Sequence, residues 1–163
     1  MAKTIFSPFA RVGLAIAAIT LIADQATKYF VLKGIGLQLG EEITVAPFFD
    51  LAIVMNKGIS YGWLQQEGDL GRWLLIIVNF AATGLFAVWL FRVSSSLSAA
   101  ALGLLIGGAI GNAIDRSLYG AVIDFISLHA LGWRWYVFNL ADTAIVAGVL
   151  GLLYDAIISR ATK

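Results

Sequence analysis

Residues 107–142, GGAIGNAIDRSLYGAVIDFISLHALGWRWYVFNLAD, carry the groups in this chain best suited to chemistry. Three carboxylates (Asp115, Asp124, Asp142), two carboxamides (Asn112, Asn139) and Arg116 stand at the edges of otherwise apolar segments. Ionisable groups in such places are expensive to hold and usually face a protein interior and serve a function. Two carboxylates forced together in a low dielectric cannot both ionise easily, so one keeps a proton while the other stays a base. Such a pair can deprotonate a water for attack on an amide carbonyl and return a proton to the oxygen or the leaving nitrogen, with no metal or covalent intermediate. Asn139 and Asp142 are three residues apart and share a helix face, and the connection carrying Asp124 is long enough to fold back against Asp142. Plainer readings stand beside this one: Asp124 pairs with Arg116 or Arg134 at the surface, and Asp142 caps or kinks its helix. Asp115 reads as a helix-end pairing group.

Other chemistries have less to be built from. The chain has no cysteine and one histidine, His129, so a thiolate nucleophile, a cysteine or histidine metal site and a Ser-His-Asp triad all lack parts. Ser117 and Ser127 have no evident general base. No metal and no cofactor is expected. A net charge of +1 gives no reason to expect nucleic acid as a partner.

The elements that must hold these residues read as membrane. Hydrophobic residues make up 60% of the 163 and charged ones 13%, with a mean hydropathy of +0.88. Four apolar runs, at residues 12–32, 73–91, 97–114 and 136–158, are near the ~20 residues that cross a bilayer core. The expectation is an all-α membrane protein, one integral membrane domain over residues 1–163, with four transmembrane helices. Basic residues before the first run also fit a signal peptide, but the apolar character resumes at Tyr29, and no small-residue cleavage site follows. Between the first two runs, residues 34–71 form a polar interval rich in Ile, Val, Phe and Thr, with turn residues at Pro47, at 56–58 and at Gly62. It reads as two or three short strands, a small β-rich cradle resting on the helices or the lipid. Gly103, Gly107 and Gly111 lie four apart and make a smooth stripe along the third helix, across which a neighbour can approach closely. Gly108, Asn112 and Arg116 form a second stripe beside it. If the fourth helix begins near Trp135, Asp142 lies roughly 10 Å along it. Basic residues fall almost evenly on the two faces, so charge does not orient the protein.

Five short pieces in one order give a more specific signal: DQATK at 24–28, NKGISYG at 56–62, GGAIGNAIDR at 107–116, VIDF at 122–125 and FNLAD at 138–142. Over essentially its whole length the chain resembles the bacterial lipoprotein signal peptidases, the type II signal peptidases. That resemblance implies four transmembrane helices, cytoplasmic termini, an extracytoplasmic cradle between helices 1 and 2, and an aspartyl dyad made of Asp124 and Asp142. It also implies that Asp24, Asn56, Gly108, Asn112, Arg116, Asn139 and Ala141 shape the pocket as substrate-binding or supporting residues. The implied partners are prolipoprotein signal peptides bearing a diacylglyceryl-cysteine, cut just before that cysteine, together with membrane lipids. A monomer in the bacterial cytoplasmic (inner) membrane is expected. The chain departs from the family pattern at Ile59, Ser60 and Tyr61, where two alanines and a phenylalanine are usual. The competing class is a small proton-coupled carrier or channel using the same carboxylates as a relay, although Asp24, Asp115, Asp124 and Asp142 gather near one face rather than across the membrane depth.

Overall fold

A computed structural model describes residues 7–58 and 69–161. Four α-helices dominate: α1 (Ala10–Tyr29), α2 (Asp69–Leu90), α3 (Ser96–Tyr119) and α4 (Leu140–Ala161). All four are long and apolar enough to cross a membrane, and α1 continues through a π-helical stretch, Phe30–Ile35, that ends at Gly36 in the left-handed conformation. Large apolar side chains cover the outer faces: Ile19 and Ile22 on α1, Ile77 and Leu85 on α2, and Leu150, Leu153 and Ile157 on α4 are all exposed. A soluble protein would bury such a surface; a membrane protein turns it to lipid.

α3 is the central post, with 67% of its spanning window buried against 11–28% for the other three helices. α1, α2 and α4 all pack on it. The glycine stripe explains how. A Cβ at Gly103 would collide with the Gly13 carbonyl oxygen, and one at Gly107 would lie 2.5 Å from the Ala17 carbonyl oxygen. On the adjoining face, a Cβ at Gly108 would lie 2.6 Å from the Ala141 carbonyl oxygen, and one at Gly148 of α4 would lie 2.7 Å from that of Ala101. Backbone therefore rests on backbone along both seams, the close approach that small residues permit where lipid gives no hydrophobic drive.

α3 is capped at both ends. The Ser95 hydroxyl accepts from Ser98 N at its start, and Gly120, with φ of 76°, closes its end. Asp155 of α4 accepts from the Ser95 and Ser98 hydroxyls, and Ser7 N donates to the Phe91 carbonyl at 2.9 Å. The start of α1, the α2–α3 link and the later part of α4 thus lie at one end of the bundle.

The other end carries a four-stranded antiparallel sheet, β1 (Glu42–Ala46), β2 (Phe49–Asn56), β3 (Val122–Ala130) and β4 (Trp133–Arg134), in the order β1-β2-β3-β4. This corrects the expected architecture. The sheet is not confined to residues 34–71, because β3 and β4 come from the α3–α4 link, and an all-α description is too narrow. The VIDFISL segment is a strand, and β2 supplies its partner, with Val54 opposite Asp124 and Asn56 opposite Val122. α4 also starts later than the apolar run. Phe138 exchanges backbone hydrogen bonds with Ile126 at 2.8 and 3.0 Å, which holds residue 138 in extended pairing and delays the helix to Leu140. The departure at Ile59, Ser60 and Tyr61 lies outside the described residues.

The seams make a stability prediction. Gly107→Ala should destabilise the bundle by about 1–3 kcal/mol, the usual cost of overpacking a tight contact. Gly84→Ala, at a position with nothing within 4 Å, should be neutral or slightly stabilising. Thermal unfolding of the two variants in detergent distinguishes a packed seam from a bare one.

Candidate active site

The candidate site forms where the C-terminal ends of α1 and α3, the N-terminal end of α4 and the sheet meet. Asp124 is wholly buried on β3. Its Oδ2 accepts from Asn56 Nδ2 at 3.0 Å, the diagonal neighbour across the β2–β3 ladder, and its Oδ1 accepts from Asn139 Nδ2 at 2.6 Å. Asp142 lies in the first turn of α4, and its Oδ1 accepts from Asn112 Nδ2 at 2.9 Å. The two amides also touch each other: Asn139 Nδ2 donates to Asn112 Oδ1 at 3.3 Å. Asp124 and Asp142 are thus joined through a pair of side-chain amides, one from α3 and one from the residue before α4.

Asn139 does a second job. Its Oδ1 accepts from Asp142 N at 2.9 Å, capping α4. A neighbouring orphan donor, Ala141 N, is met at 3.0 Å by Asp24 Oδ1 from α1. Asp142 is therefore not itself the cap of its helix. Nor is Asp124 a surface partner of an arginine. Arg134 forks onto Glu42 at 2.7 and 2.8 Å and reaches Asp50 and Ser127, while Arg116 donates from Nη2 to the Gly58 carbonyl at 2.8 Å.

The residues implied by the resemblance divide into two kinds. Asn56, Asn112 and Asn139 touch the two aspartates directly. Asp24, Gly108, Ala141 and Arg116 hold the frame: Gly108 lets α4 approach α3, Asp24 grips α4 at Ala141, and Arg116 ties the end of α3 to the chain leaving β2. Lys28 was not among them. It is 2% exposed, and its Nζ lies 2.8 Å from Asp24 Oδ2, 2.7 Å from Asp115 Oδ2 and 3.4 Å from Asn112 Oδ1. Gln25 Nε2 completes the cluster, donating to Asp115 Oδ1 at 3.0 Å and Asp24 Oδ2 at 3.1 Å. The signal was present: Asp24 and Lys28 are an i,i+4 pair inside an apolar run, where neither charge is tolerable alone.

Burial pushes the Asp124 carboxyl up to about 7, and the charge of Asp142 pushes the same way. The Asn56 and Asn139 amides and the positive Lys28 oppose the rise without cancelling it. Asp142 opens on a groove of about 470 Å³ along the outer face of α4, lined by Trp135, Tyr136, Phe138, Thr143, Val146, Ala147 and Leu150. An apolar trough with one carboxylate at its head suits a lipid-borne or strongly hydrophobic substrate.

Four helices long and apolar enough to cross a membrane, with two carboxylates joined through a pair of amides at one end of the bundle, define a multi-pass membrane protein. Residues 16–158 match the family model described as Signal peptidase (SPase) II. A lipoprotein signal peptidase of Methylobacterium radiotolerans is 54% identical over 151 residues, covering 93% of this chain and 88% of that one. One from Methylorubrum extorquens is 54% identical over 147 residues, covering 90% and 86%. Among solved structures, a bacterial membrane enzyme determined by the in meso method at 2.3 Å superposes with a TM-score of 0.84 at 27% identity, over 97% of this chain and 94% of that one. The chain belongs to the signal peptidase II family, and it is a peptidase.

The amides allow capping to be separated from chemistry. Asn139→Ala should cost about 1 kcal/mol of stability through the lost cap. It should also lower turnover by about tenfold or more, which corresponds to ~1.4 kcal/mol or more of transition-state stabilisation. Asn112→Ala, which caps nothing, should show the larger ratio of activity loss to stability loss. Thermal unfolding and initial rates on the same preparations give both numbers, and activity that merely follows the folded fraction would reduce both residues to helix contacts.

Proposed function

We propose that this peptidase is an intramembrane aspartyl endopeptidase that removes the signal peptide of prolipoproteins, cutting just before a cysteine that carries a diacylglyceryl group. The reading rests on one arrangement: a wholly buried Asp124 and a groove-facing Asp142 share the Asn112–Asn139 amide pair. Asp124 holds its proton up to about pH 7 and is the acid in the protonated form, while Asp142 serves as the base. A water between them loses a proton to Asp142 as its oxygen bonds to the scissile carbonyl carbon, and Asp124 gives its proton to the carbonyl oxygen. The tetrahedral diol then collapses: one hydroxyl proton returns to Asp124, the proton on Asp142 passes to the leaving nitrogen, and the C–N bond breaks. Both carboxyl groups end as they began.

The substrate reading draws on the groove. A signal peptide is apolar and lies in the bilayer, and so do the acyl chains of a lipidated cysteine. Both can reach the outer face of α4 sideways, through lipid. On this reading the chain is a single membrane domain that works as a monomer in the bacterial inner membrane among its lipids. The sheet end is extracytoplasmic, and both termini are cytoplasmic. The start of α1 and the later part of α4 lie at the end of the bundle opposite the sheet, which fits that orientation. A proton relay is disfavoured, because no charged side chain occurs at 12–23, 73–91, 97–114 or 143–154, so nothing carries a proton through the depth of the bundle.

Asp124→Asn and Asp142→Asn should each lower cleavage of a diacylglyceryl-modified prolipoprotein by about 100-fold or more, with thermal unfolding little changed. The unmodified precursor should not be cut. The reaction needs one proton on the pair, and burial holds the Asp124 proton up to about 7. The rate should therefore fall as pH rises through that region, when the acid is lost. Normal turnover in either asparagine variant would show the dyad to be wrongly assigned.

A further inference from the structure

We propose that Lys28 is a positioning residue for the dyad: its ammonium fixes the two amides and, through its counter-ions, the two backbone segments that present Asp124 and Asp142. The inference rests on the dyad proposed above.

The ammonium has three donors and no acceptor, and it faces three oxygens: Asp24 Oδ2, Asp115 Oδ2 and Asn112 Oδ1. Each carboxylate it holds also grips the backbone one residue before an aspartate of the dyad. Asp24 Oδ1 accepts from Ala141 N at 3.0 Å, next to Asp142. Asp115 Oδ2 accepts from Ile123 N at 3.1 Å, next to Asp124. One buried cation thus joins α1, α3, the first turn of α4 and the start of β3.

The third contact sets amide direction. With its oxygen toward Lys28, Asn112 can aim only its NH₂ group at Asp142 Oδ1. Reversed, it would point that NH₂ at the ammonium and at Asn139 Nδ2, and would turn its oxygen on a carboxylate. Asn139 is fixed from the other side, since its Oδ1 accepts from Asp142 N. Its Nδ2 must therefore donate, and it does so to Asn112 Oδ1 and Asp124 Oδ1. Both aspartates consequently meet N–H groups, which hold a carboxylate in place and help its charged form. The charged groups facing this cluster are Asp24 from α1, Asp115 and Arg116 from α3, Asp124 from β3 and Asp142 from α4. The Lys28 charge is among those that favour ionised Asp124.

The test is the pH profile of kcat/KM, measured on the purified full chain with lipid-modified prolipoprotein and read beside thermal unfolding. Lys28→Met should lower kcat by about tenfold or more and move the alkaline limb to higher pH, because the cation that eased loss of the proton is gone. Lys28→Arg keeps the charge and should keep the limb at its wild-type position. A Lys28→Met profile that superimposes on the wild type, with activity falling only as the folded fraction falls, would overturn the inference. Should Lys28→Met not fold, Asp115→Asn provides the opposite sign. It takes one counter-ion from the ammonium and should move the limb to lower pH, and an unmoved limb would again refute the proposal. Asp124→Asn separates the two readings. If it retains turnover, the dyad itself is wrong; if it is inactive while the Lys28 and Asp115 limbs do not move, this inference alone fails.

Discussion

The close approach of α3 to its neighbours is the constraint on which the rest depends. Gly107 and Gly108 are adjacent in sequence and point to different helices, so α3 meets α1 on one side and α4 on the other with backbone against backbone. Only at that spacing can a short side chain on α3 reach a partner across the seam. Asn112 lies one turn beyond Gly108 and meets Asp142, and Asp115 lies two turns beyond Gly107 and meets Lys28. A methyl group at either glycine would meet a backbone carbonyl oxygen of the neighbouring helix, Ala17 or Ala141, and push these pairs apart.

Charge buried at such a seam has to be matched locally. Lys28 sits between Asp24 and Asp115, and each of the three also satisfies an amide or a backbone N–H. Breaking a buried pair of this kind leaves an uncompensated ion, which is worse than never having built it. The same low dielectric raises the Asp124 carboxyl. The proposed chemistry and the fold therefore use one device: few polar groups in a low dielectric, with partners supplied at fixed positions by three helices and two strands.

Much of this was legible in the sequence, and what was not has a common cause. The helical runs and the glycine stripe are local patterns with periods that a chain must show whatever it packs against. What packs against what is not local. The Asn56–Asp124 hydrogen bond joins residues 68 apart, and Lys28 meets Asn112 across 84. The first half of β3 is buried on both faces, so no local period announces it, and its membership of a sheet with β2 required the partner. The fourth apolar run opens at residue 136 while α4 opens at Leu140, because apolar composition does not distinguish an extended Phe138 paired with Ile126 from a first helical turn. A lysine near the end of an apolar run usually reaches toward the membrane surface. Here Lys28 stays inside, because Asp24 and Asp115 wait for it.

Infrared difference spectroscopy of the carboxyl carbonyl stretch, taken across a pH titration of the wild type and of Asp124→Asn, tests the central claim most directly. The account predicts a protonated carboxyl band in the wild type that is present in mildly acidic solution, disappears with a midpoint of about 7 and is missing from the variant. A band that survives in Asp124→Asn, or no protonated carboxyl at all below neutral pH, would contradict a dyad that holds one proton on Asp124.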